Sequence, residues 1–173
     1  MDILHRIKHE TVLLDGAMGT MLQAAGLKLG EHPEVFNIEH PEIVKGIHAA
    51  YAAAGSQVLY ANTFGANAHK LQGTGYGVAE IIQAGLRLAK EAGQAAGAAA
   101  ALDIGPIGEL LAPMGTLSFE EAYELFAEQV RAANGLADLV VIETMTDLLE
   151  AKAALLAVKE NSELPVMCTM TFE

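Results

Sequence analysis

Residues 137–160 read ADLVVIETMTDLLEAKAALLAVKE, and the two halves of this stretch obey different periods. The unbroken apolar run Leu139-Val140-Val141-Ile142 suits a strand buried on both faces. After Glu143-Thr144, the segment from Asp147 to Glu160 is rich in Ala, Leu, Glu and Lys, all good helix formers. A strand that hands directly to a helix predicts parallel strands joined by right-handed crossovers.

The same unit recurs on either side. TVLLD (11–15) predicts a first strand, and HPEIVKGIHAAYAAAG (40–55) a helix in which Pro41 opens the first turn and Gly55 stops the last. SQVLYANTF (56–64) predicts a second strand, and AEIIQAGLRLAKEAGQAAG (79–97) a second helix. AAALDIGPIG (99–108) predicts a third strand despite its poor strand formers. In SFEEAYELFAEQVRAANG (118–135), Ser118 with Glu121 forms a capping box, and Phe119, Tyr123, Phe126 and Val130 share one apolar face. LPVMCTMTFE (164–173) predicts a fifth strand. Five strands and four helices fit either an open doubly wound sheet or the first half of a (β/α)8 TIM barrel, whose full length is about 250 residues. An ending on an apolar strand without a covering helix favours the half-barrel, occupying residues 1–173. Its open edges, TVLLD and PVMCTM, predict self-association.

Composition excludes several classes. At 52% hydrophobic the chain can bury a core. No apolar run reaches the roughly 18 residues of a membrane span, and the start MDILHRIKHE lacks the apolar core of a signal peptide. A net charge of −12 argues against a nucleic-acid surface. A single cysteine, Cys168, excludes an internal disulfide and fits a reducing cytoplasm.

In a parallel α/β fold, ligands meet the C-terminal ends of the strands, and the polar residues collect there. The first strand leads into Asp15-Gly16-Ala17-Met18, and the second into Asn62-Thr63-Phe64. The third leads to Asp103 and Gly105-Pro106, the fourth to Glu143-Thr144, the fifth to Thr169, Thr171 and Glu173. A carboxylate holds an ammonium group, and permissive glycine turns let backbone N–H groups face an anion. Asp15 and Glu143 beside the N–H groups of 16 to 20 therefore suit a zwitterionic amino acid. Taken singly, each feature has a plainer reading: Asp15 as a helix cap, Glu143 as the partner of a helix lysine, and Asp-Gly as a turn.

Other signals carry no site. GTGYG (73–77) follows no strand and lacks the full dinucleotide-loop spacing. His5 and His9 stand four apart, but Arg6 occupies the position where a zinc-protease helix needs Glu. Cys168 reads as a buried structural thiol, and Lys28, Lys45, Lys70, Lys90, Lys152 and Lys159 as lying off the strand ends.

In order along the chain, LLDGAMGTMLQ, ANTFGAN, DIGPIGELL and IETMTDLLEAKAAL resemble the homocysteine-binding S-methyltransferase family, nearest its cobalamin-dependent, methionine-forming branch. The resemblance covers residues 11–173 and implies a (β/α)8 barrel with L-homocysteine at the C-terminal rim. It implies that the backbone of Gly16, Ala17 and Met18 receives the substrate carboxylate and that Asp15 organises that turn. It further implies that Glu143 holds the amino group while Asn62, Thr63 and Phe64 shape the wall. The family activates the substrate thiol with zinc held by three cysteines in a later part of the barrel, and this branch takes its methyl group from cobalamin charged by 5-methyltetrahydrofolate. Neither zinc nor cobalamin is expected on this chain, which is expected to be inactive by itself. A non-catalytic half-barrel scaffold, or a different α/β-barrel lyase, is the alternative.

Overall fold

The computed structural model describes residues 3–172; Glu173, placed by the sequence reading at the end of the fifth strand, lies outside them. Four parallel strands, β1 (Val58–Tyr60), β2 (Ala99–Ile104), β3 (Leu139–Met145) and β4 (Val166–Met170), pair in the order β1-β2-β3-β4. Sequential order without a switch point is the order of a barrel arc, not of a doubly wound sheet.

Strand alternation divides the core. Leu59, Ala100, Leu102, Ile104, Val140 and Ile142 point to one face and pack against the longer helices. These are α4 (Pro41–Ala53), α5 (Val78–Gly93), α6 (Phe119–Ala132) and α7 (Leu148–Asn161). Val58, Ala99, Ala101, Leu139 and Val141 point to the other face, where Ile3 from α1 (Ile3–His9) closes over them. The helices form where apolar residues recur at helical spacing, as with Ile81, Ile82, Leu86 and Ala89 in α5. The capping box predicted for α6 is present, Ser118 and Glu121 satisfying each other's backbone N–H groups. Pro41 opens α4, and Gly55 takes φ +104° just past its end.

The predicted first strand is a correction. Only an isolated bridge, Leu14 to Val58, joins 11–15 to the sheet, supported by N–H donation from Gln57 to the Leu13 carbonyl at 2.8 Å and from Asp15 to the Val58 carbonyl at 3.1 Å. Leu13 and Leu14 are 54% and 41% exposed, so this run is not the buried strand its composition predicts. The predicted third strand stops at Ile104, because the Gly105 N–H turns to the Phe64 carbonyl at 3.0 Å and Pro106 has no N–H to offer. Among the described residues there are seven α-helices where four were expected. The additional three are α1, α2 (Gly19–Ala24) and α3 (Phe36–Glu39), at seven, six and four residues too short to show a periodic face. Cys168 is exposed on the edge strand β4, against the buried reading, because among the described residues no strand pairs with the outer side of β4.

Candidate functional site

The C-terminal ends of β1, β2 and β3, with the turn after Leu14, surround one cavity of about 500 Å³. Asp15, Gly16, Ala17, Met18, Asn62, Phe64 and Glu143, all predicted from sequence, line it. Pro33, Glu34, Tyr60, Asp103 and Thr144 complete most of the wall.

The turn after Leu14 is fixed from two sides. The Tyr60 N–H donates to Asp15 Oδ2 at 2.9 Å, so this carboxyl ties its turn to the end of β1. It does not cap α2, whose N-cap, Met18, makes no side-chain bond. The Tyr51 hydroxyl donates to the Ala17 carbonyl at 2.9 Å, and a Cβ on Gly16 would come within 2.9 Å of that ring, so only glycine fits.

Asn62 is set by a mutual amide pair. Its Nδ2 donates to the Pro33 carbonyl at 2.7 Å and to Asn37 Oδ1 at 3.0 Å, while Asn37 Nδ2 donates to the Asn62 carbonyl at 2.8 Å. Phe64 packs closely against Gly105, where a Cβ would fall 2.6 Å from ring atoms Cδ2 and Cζ. Thr63 does not line the cavity. Its hydroxyl donates to the Asp103 carbonyl at 2.9 Å and accepts from the Asp103 N–H at 3.1 Å, so it braces β2 from behind. Lys70 also departs from the sequence reading: its ammonium reaches a strand end, donating to the Pro106 carbonyl at 2.7 Å and lying 5.3 Å from the Phe64 ring centre.

Glu143 enters through an irregularity in β3. The register with β4 shifts between Ile142 and Met145, and Thr144 takes φ +61°, a left-handed conformation uncommon outside glycine. The bulge lets Glu143 and Thr144 both face the cavity while Met145 returns to the core.

The acids here sit in an unusual field. Burial pushes the Asp15 carboxyl up to about 7, against the opposing pull of the Tyr60 N–H, with Glu143 adding to the rise. Burial raises Glu143 as well, and it raises the Tyr60 hydroxyl with help from Glu143, Asp103 and Asp15. No lysine, arginine or histidine lines the cavity among the described residues. Such a site attracts a ligand carrying its own positive charge.

Comparison with known proteins gives the family and the fold. Residues 12–173 match the family model of homocysteine S-methyltransferase. The chain belongs to that family. Across 99% of its length it is 30% identical to a methionine synthase of Mycobacterium tuberculosis (strain ATCC 25618 / H37Rv), and equally so to one of Mycobacterium leprae (strain TN), but it spans only 16% of each. It superposes on the oxidized form of the homocysteine methyltransferase MmuM from Escherichia coli with a TM-score of 0.78 at 25% identity, over 96% of this chain and 63% of that one. The metallated form gives a TM-score of 0.73 at 24% identity, over 91% and 63% of the two chains.

The resemblance implies zinc, and the donor set does not fit it. Among the described residues no group of three or more His, Cys, Asp or Glu is arranged to hold a metal ion. Cys168, the one thiol, is exposed on β4 and does not line the cavity. No described helix is long and apolar enough to cross a membrane.

Asp103 is the residue that the resemblance passed over. Sequence reading placed it at a strand end but gave it no role. Its alternation with Leu102 and Ile104, which face the helices, is the signal that puts it on the cavity side.

Proposed function

We propose that this chain is the first half of a homocysteine methyltransferase barrel and that its cavity binds the amino-acid end of L-homocysteine for methyl transfer to sulfur, forming methionine. The observation that carries the reading is the gathering, around one cavity, of the Asp15 and Glu143 carboxyls and the backbone turn 16–18. A zwitterion matches both sides: its ammonium goes to the acids, and its carboxylate to the N–H groups of Gly16, Ala17 and Met18. Asn62 and Phe64 form the wall that fixes the ligand's orientation, with Thr63 holding β2 behind them.

The sulfur chemistry is divided from this binding role. A thiol with an ordinary value of about 8.5 is mostly protonated at neutral pH, and the described residues offer no set of zinc donors to change that. These residues therefore bind and orient the substrate, while thiol activation belongs to a later part of the longer family members. We further propose methylcobalamin, charged from 5-methyltetrahydrofolate, as the methyl donor, in a cytoplasmic setting. The exposed edge of β4, and the short pairing of 13–14 at the other edge, support association of this chain through its open sides.

Isothermal titration of the 173-residue chain with L-homocysteine tests the binding role. We expect saturable one-site binding that Glu143→Gln weakens by at least about tenfold, the cost of losing one charge-assisted bond. Absence of binding by the wild-type chain, or equal binding by the variant, would overturn it.

A further inference from the structure

One carboxylate suffices to neutralise one ammonium, yet beside Asp15 and Glu143 this cavity holds a third acid. Asp103 is 6% exposed, and its Oδ1 is buried without a hydrogen-bond partner. It lines the same cavity as Asp15 and Glu143. The backbone on both sides of its Cα is committed to Thr63, which fixes the strand position from which the buried carboxyl meets the cavity. Asp15 Oδ1 is likewise buried and unpartnered. Two orphaned acid oxygens in one cavity mark a missing donor.

Resting on the homocysteine reading, we infer that Asp103 is a specificity-determining residue: the third acceptor for the ligand ammonium, which it serves as a neutral, protonated acid. An ammonium group has three N–H donors, and Asp15, Asp103 and Glu143 offer one acceptor each. Charge dictates the proton. Three ionised carboxylates around one monocation would leave excess negative charge in a half-closed site, at a Coulombic cost that falls hardest on the most buried member. The titratable groups facing Asp103 are Asp15 from the first turn, Glu34 from the 33–35 turn, Tyr60 from β1 and Glu143 from β3. None of them is a cation. Burial first, then Glu143, Asp15 and Glu34, hold its carboxyl well above the usual range. As a neutral acid, Asp103 accepts from the ammonium through its carbonyl oxygen and donates its O–H to a neighbouring carboxylate.

The consequence is selectivity for a primary ammonium. An N-methylated amino acid keeps the charge but loses one donor, leaving one acceptor unpaired in a desolvated place. Such a lost bond costs far more than a mere change of shape.

The test titrates wild type, Asp103→Asn, Asp103→Leu and Glu143→Gln with L-methionine and with N-methyl-L-methionine. Wild type is expected to prefer the primary amine by at least about tenfold. The amide of Asp103→Asn keeps a neutral acceptor and a donor, and is expected to retain most of that preference with about threefold weaker binding. Asp103→Leu keeps neither and is expected to lose the preference. A preference unchanged in Asp103→Leu, or an Asp103→Asn loss as large as that of Glu143→Gln, overturns the inference while leaving the homocysteine reading intact. Failure of wild type to bind either ligand overturns both. A readout that needs no ligand is the 13C signal of the Asp103 carboxyl, assigned by its absence in Asp103→Asn. It is expected at the neutral-acid position at neutral pH, and an ionised position refutes the role.

Discussion

If Asp15 must be ionised to hold the ligand ammonium, affinity must follow its titration. Burial sets that carboxyl at about 7 in the free chain, so it is about one-tenth ionised at pH 6, one-half at pH 7 and nine-tenths at pH 8. The sign is fixed: the free site holds a proton that the bound site must release, so binding strengthens as pH rises. Between about pH 6 and pH 8 the dissociation constant should fall by about tenfold, with about half a proton released per ligand at pH 7. L-Methionine is the proper probe because it lacks the thiol that begins to ionise near 8.5. Calorimetric titrations in buffers of different ionisation enthalpy measure the affinity and the proton count together. Asp15→Asn should bind more weakly throughout and show no slope over this range, since its amide oxygen still accepts from the Tyr60 N–H but carries no charge. An affinity that is flat from pH 6 to 8, or an equal slope in Asp15→Asn, refutes the reasoning.

Three other perturbations reach different parts of the structure. Gly105→Ala places a methyl group against the Phe64 ring, and should cost about 1–3 kcal/mol of stability while weakening ligand binding by pushing that wall inward; a melt and titration matching wild type would contradict the packing. Thr144→Gly removes a left-handed β-branched residue and should stabilise the chain by up to about 1 kcal/mol in chemical denaturation. His48 is fully buried with neither ring nitrogen partnered, and burial pulls its imidazole down to about 4. Its contribution is present above about pH 6.5 and lost as pH falls toward 4, amounting to about 2.5 kcal/mol by pH 4.5. The stability of His48→Leu relative to wild type should therefore rise by that amount on acidification, and parallel pH profiles would be inconsistent with a buried neutral imidazole.

The long elements and their order were legible because their signals are long. Runs such as LVVI, and the recurrent faces of α5 and α6, bury enough apolar surface to override local ambiguity. Short elements were not: α2 and α3 are stabilised by what they pack against, and no periodic face announces them. The first strand misled because Val12, Leu13 and Leu14 look buried, whereas the segment touches β1 only through the bridge from Leu14 to Val58 and leaves Leu13 and Leu14 exposed. Among the site residues, Asp15 and Glu143 were readable as acids at strand ends. Thr63 was not separable from Asn62 and Phe64, since one residue of offset decides whether a side chain faces the cavity or the layer behind it. Lys70 was misjudged because its backbone is remote from any strand while its long side chain is not.

The irregularity at 142–145 separates two kinds of constraint along β3. Up to Ile142, each residue enters an apolar layer on one face or the other, so a polar side chain at any of these positions would be buried without a partner. The extra residue resets that count, so that Met145 regains its layer whatever occupies the two positions before it. Positions 143 and 144 are thereby released from packing, and substitutions there alter what the cavity recognises without asking the sheet to repack. A barrel strand built this way can exchange one ligand chemistry for another through two side chains, while the scaffold beneath them keeps its sequence.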